Sequence, residues 1–172
     1  MVIKKMISLR NKLINSKMNV YNEENEIIEV EFSFNNGVAN GEIEKVEKQL
    51  KKVFPNSFKN FLKYSNGCKL FNYEELDGFK VLEVNEIIKA NNYLENTLEE
   101  DWDEDLLVFC KYIGEDNYIS FKYNHNTNDY NVVDCFTEEL PEYWNTIAKD
   151  FDEFMNKLID SEGRKYWLLD SI

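Results

Sequence analysis

Residues 53–67 carry a start, an apolar face and a stop for one short helix within fifteen positions. Pro55 fits the first turn of a helix, where its missing N–H is no loss. Phe58, Phe61 and Leu62 stand at i, i+3 and i+4, which is one helical face. Asn66-Gly67 supplies the left-handed residue that ends helices. Such a segment marks fold rather than function, so its apolar face is expected inside and away from any partner.

The flanking pattern alternates between helix and strand periods. Residues 2–16 predict an amphipathic helix, with Ile3, Met6, Ile7, Leu13 and Ile14 near one face. That helix either packs on the body or meets a membrane surface or partner. Ile28, Val30, Phe32 and Phe34 alternate with Glu29, Glu31 and Ser33, the mark of a half-buried strand. Asn40-Gly41 opens a helix whose stripe is Ile43, Val46, Leu50 and Val53, and Pro55 ends it near Phe54. Short strands are expected at 68–71 and 79–84, then a helix capped by Asn85 that runs to about Leu94 or beyond. Residues 106–113 predict a strand, and 118–136 an antiparallel hairpin. Residues 146–161 predict the clearest helix, with Ile147, Phe151, Phe154, Met155, Leu158 and Ile159 as its stripe and Gly163 at its end. Tyr166-Trp167-Leu168-Leu169 reads as an apolar tail that docks on the body.

Strands thus gather in the middle with helices before and after. The expected class is α+β, a central mostly antiparallel sheet with flanking helices. The expected organisation is a domain at 38–172 behind a helix-and-strand extension at 1–37.

Charge narrows the function. The net charge is −13, yet residues 1–18 hold five basic groups and no acid, so all 33 acidic residues lie in the remainder. Such a body repels nucleic acid and attracts basic proteins, unless the charge serves solubility alone. The two close helices around Pro55 lack the basic face of a helix–turn–helix DNA reader. Cys68, Cys110 and Cys135 are odd in number and widely spaced, and with one histidine they make no zinc pattern. They read as reduced, mostly buried thiols. Residues 1–17 lack the apolar core of a signal peptide, and no run suits a spanning helix. A cytoplasmic protein without membrane attachment is expected.

Catalytic and metal motifs are missing. Asp101, Asp103 and Asp105 resemble a calcium loop, but Leu106 stands where glycine is needed and Tyr112 where glutamate is needed. His125 sits in a polar hairpin loop with no activated nucleophile near it in sequence. There is no phosphate loop, dinucleotide fingerprint, nucleophile elbow or zinc-protease helix. No cofactor is expected. Two acidic–aromatic segments remain as partner-binding candidates. One is Asp101, Trp102, Asp103, Glu104 and Asp105; the other is Tyr143 with Trp144. A tryptophan ringed by carboxylates suits an anchor for a basic partner, or it turns inward from a solvated loop. Tyr143-Trp144 suits a second anchor, or packing at the start of the last helix.

The order of these signals resembles the SUKH superfamily, the Smi/Knr-type domain. The matching residues are Phe54-Pro55, Phe58, Phe61-Leu62 and Asn66-Gly67, then Ile113-Gly114 with Asp116, then Ile147-Ala148 and Phe151-Asp152-Glu153-Phe154. The similarity spans about residues 43–159. One departure is Glu115-Asp116-Asn117-Tyr118, where the family often has glycines. The resemblance implies a non-enzymatic α+β domain. Many bacterial members are immunity proteins that bind and neutralise a toxin domain, often a nuclease, and others are scaffolds or regulators. The leading expectation is therefore a cytoplasmic immunity protein whose acidic surface meets a cognate toxin or other basic protein. An interaction scaffold, and an enzyme with an unrecognised carboxylate pair, are the alternatives.

Overall fold

A computed structural model describes residues 2–169. Its strands form one antiparallel sheet in which neighbours in sequence are neighbours in space. They are β1 (Lys17–Tyr21), β2 (Ile27–Phe34), β3 (Cys68–Tyr73), β4 (Asp77–Val81), β5 (Leu106–Tyr112), β6 (Tyr118–Asn124), β7 (Asp129–Cys135) and β8 (Thr146–Ala148). The helices are α1 (Val2–Lys12), α2 (Asn40–Leu50), α3 (Asn56–Tyr64), α4 (Val84–Leu98), α5 (Phe151–Asp160) and α6 (Tyr166–Leu169). The α+β class read from the sequence holds. The expected domain limits at residues 1 and 172 lie outside the described residues.

The core is aromatic. Phe58 of α3 and Phe151 of α5 meet Phe109 and Phe121, which stack at 4.0 Å across β5 and β6, and Phe61 packs on Phe151. The face of α3 expected to be buried is buried. Pro55 caps that helix from outside rather than filling its first turn, and Ser65 ends it. Gly67, at φ +82°, serves instead the turn into β3.

Other expectations need correction. The helix expected at 146–161 is a strand and a helix. Ile147 and Ala148 join β8 beside β7, and Asp150 caps α5 by accepting the Glu153 N–H at 2.7 Å. A short apolar run fits either period, and here the cap decides the boundary. The strand β1 went unread because Asn15 and Ser16, both at positive φ, reverse the chain inside the expected first helix. That helix stops at Lys12 and buries Val2, Met6 and Leu9, while Ile7 and Ile14 stay exposed. It packs on α3 and α5. Val53 falls beyond the end of α2, where Lys51 turns left-handed, and is exposed. The helix α4 is capped by Glu83 in a reciprocal box with Glu86, not by Asn85, while its end at Leu98 agrees with the expected run beyond Leu94.

One buried side chain replaces a missing strand. The strand β4 ends at Val81, which pairs with Cys110 of β5. Farther along β5, Asn91 of α4 accepts the Val108 N–H and donates to the Val108 carbonyl, each at 3.0 Å. Asn91→Ala takes these partners from the N–H and the carbonyl of buried Val108. It is expected to cost about 2 kcal/mol in urea denaturation.

The carboxyl tail docks as expected through its indole. Trp167 packs by Phe79 and Phe154, and its N–H donates to Asp134 at 2.8 Å. The Tyr112 hydroxyl donates to the same carboxylate at 2.7 Å. Burial pushes the Asp134 carboxyl above its usual range, against these two donors and Lys165. A raised folded-state pKa means that protonation favours the fold. The stability it adds is full below the ordinary carboxylate pKa and is lost as pH rises through the folded-state value. Asp134→Asn should therefore raise the urea midpoint at pH 7. The gain over wild type should shrink towards about pH 4.

Candidate partner-binding surfaces

The carboxylates singled out in the sequence sit on the turn between α4 and β5. Glu99–Asp101 form one 3₁₀ turn, closed by the Trp102 N–H on the Glu99 carbonyl at 3.2 Å. The Asp103 side chain accepts the Asp105 N–H at 2.9 Å and pairs with Lys122 at 3.0 Å. Burial opposes ionisation of Asp103, but that N–H and Lys122, helped by Lys52, hold its carboxyl below the usual range. Lys52 also donates to the Glu104 carbonyl, and His125 lies 2.8 Å from Asp105. Asp103, Glu104 and Asp105 thus have internal partners. Glu99, Glu100 and Asp101 are exposed and form no ion pair among the described residues. Trp102 is half-buried and packs against the core, so it is at most a partly presented anchor.

The turn forms one wall of a cleft of about 620 Å³. Val53, Pro55, Tyr123 and Tyr130 line it with Glu104 and Asp105. The Tyr130 hydroxyl donates to the Val53 carbonyl at 2.8 Å. The joint between α2 and α3, expected to mark fold alone, therefore borders the acidic turn.

The second candidate segment follows β7. Trp144 is buried, and its N–H donates to the carbonyls of Phe136 and Glu139 at 2.9 and 3.1 Å. Its polar edge is thus spent shaping the loop, the packing that the sequence offered as the alternative to an anchor. Tyr143 stays 64% exposed. Sequence reasoning missed Phe136 and Leu140, which are 41% and 43% exposed between Glu138, Glu139 and Glu142. The signal was present as apolar residues without helix or strand period in an acidic segment next to a proline.

The two segments lie at opposite ends of β5. The acidic turn leads into Leu106, whereas Thr137 is tied to the turn after β5 by bonds to Asp116 and Asn117. A seven-residue strand sets them roughly 20 Å apart.

Residues 37–157 match the SMI1 / KNR4 family (SUKH-1). The chain belongs to this family. The match takes in α2 to β8 and most of α5, close to the span read from the residue pattern, and omits α1, β1 and β2. An uncharacterized protein of Bacillus subtilis (strain 168), YnaB, is 24% identical over 136 residues, which cover 79% of this chain and 86% of that protein. Among the described residues of this SUKH-1 protein, no helix is long and apolar enough to cross a membrane. The acidic turn and the loop after β7 both lie inside the family match.

Proposed function

We propose that this SUKH-1 chain is a non-catalytic immunity protein that acts in the cytoplasm by binding and neutralising a basic toxin domain, such as a nuclease. Family membership supports the class of function. The surface is assigned on one observation: Glu99, Glu100 and Asp101 are adjacent, exposed and without ion pairs among the described residues. Carboxylates so placed speed encounter with a cationic partner and stand where phosphates would on a nuclease. Asp101, Trp102, Asp103, Glu104 and Asp105 form the contact face around that turn, and Tyr143 adds a second contact.

Neutralising the turn by Glu99→Gln, Glu100→Gln and Asp101→Asn tests the surface. The association rate with a cognate basic toxin domain should fall about tenfold at low salt. Dissociation should change little. An unchanged association rate would remove this turn from the interface.

A regulatory scaffold is the second reading. It is favoured by the separation of the two acidic surfaces, which leaves room for two partners. Simultaneous binding of two proteins would select it.

A further inference from the structure

We propose that a groove between β1, β2 and the segment after α5 docks an extended, basic and aliphatic segment of a protein partner. The proposal rests on the reading of this chain as a protein-binding module, and it adds a surface separate from the acidic turn. The groove measures about 480 Å³. Its floor rests on the buried Val20, Val30 and Phe71, and its accessible apolar groups are half-buried Ile28 and exposed Leu76 at the lip. Leu76 is 67% exposed, although the neighbouring turn is otherwise polar.

The rim carries a net negative charge. Glu23, Glu24, Glu26, Asp77 and Glu162 border the groove, and none joins an ion pair among the described residues. Glu115 and two basic residues, Arg164 and Lys165, also border it, so acids outnumber bases there by six to two. Lys165 pairs with Glu115 at 2.9 Å, and the Arg164 Nε–H donates to the Ser161 carbonyl at 3.0 Å. Carboxylates gathered around an apolar floor repel one another until a cation arrives, while the floor gains from burial. An extended segment that alternates lysine or arginine with an aliphatic residue satisfies both demands. Alternate side chains of a strand point to opposite sides, so one row fills the floor and the other reaches the rim. Five such residues span roughly 17 Å.

The groove also reaches beyond the shared domain. The walls from Val20 to Val30 and from Glu162 to Lys165 lie outside residues 37–157, the stretch that matches the family. The groove thus joins walls outside that stretch to Phe71, Leu76 and Asp77 inside it.

The test uses the isotope-labelled full chain and the peptide Lys-Ile-Lys-Ile-Lys. Amide shifts should saturate at Leu76, Gly78 and Gly163. Glu23→Lys, Glu24→Lys and Glu26→Lys together should weaken binding at least about tenfold. The same charge change at Glu99, Glu100 and Asp101 should alter it less than about twofold, because screening isolates charges beyond a Debye length. Lys-Gly-Lys-Gly-Lys should bind at least about tenfold more weakly, since it cannot fill the floor. Equal effects of the two triple variants, equal binding of the two peptides, or no saturable shift would each overturn the proposal. Amide dispersion of each variant confirms that it folds. Toxin rescue by the wild-type chain would survive failure of the groove, and peptide binding would survive failure of the toxin assignment.

Discussion

Phe58→Ala is expected to destabilise the protein by about 4 kcal/mol, enough to unfold a marginal domain. Phe58 is buried where α3 meets α5 and the sheet, and its ring lies 5.1–5.6 Å from those of Phe54, Phe109, Phe121 and Phe151. Truncation removes contacts on several sides, and rings held by separate elements cannot all move in to close the cavity. Urea denaturation should show a lower midpoint with little change in slope, because the surface exposed on unfolding stays nearly the same. A loss below about 1.5 kcal/mol would place the core elsewhere.

Gly114→Ala should cost about 3 kcal/mol through the backbone rather than through packing. Gly114 has φ +81°, which an L side chain adopts with strain. A Cβ there would stand 2.1 Å from the Leu76 carbonyl oxygen. That oxygen belongs to the turn before β4, whose Gly78 carbonyl accepts the Ile113 N–H at 2.9 Å. Relief of the clash must therefore pull these hydrogen-bonded turns away from each other. Hydrogen exchange should rise at both turns together. A variant as stable as wild type would show that the turns are free to separate.

These two sites also show how far the residues spoke for themselves. The spacing of Phe58, Phe61 and Leu62 announced both the helix and its buried face, since a helical period maps directly onto one side of a cylinder. Ile113-Gly114 stood out as a pattern, but the carbonyl of Leu76 that forbids a side chain there comes from a turn nearly forty positions earlier. Such a non-local contact leaves no period to read. The same holds for Asn91, whose role depends on where β4 stops. Short elements fared worst. Ile147 and Ala148 were absorbed into the helix that follows them because three residues cannot display a period.

The surfaces were legible as charge and only partly as geometry. The acidic run around Trp102 was visible, but not that Lys122, Lys52 and His125 engage its second half and leave Glu99, Glu100 and Asp101 free of ion pairs among the described residues. Trp144 looked like an anchor because tryptophan suits both interfaces and cores. Its burial follows from the loop carbonyls that its indole N–H holds. Phe136 and Leu140 were overlooked because strand and turn patterns expect apolar residues to point inward.

The central claim is that this SUKH-1 chain neutralises a basic toxin through its acidic turn. Growth rescue on co-expression with a cognate basic toxin domain tests it most directly. The wild-type chain should restore growth, and Glu99→Lys, Glu100→Lys and Asp101→Lys together should abolish rescue while the chain remains folded. Rescue undiminished by that triple reversal would contradict the assigned surface. Absence of both rescue and complex formation with the wild-type chain would contradict the immunity function itself.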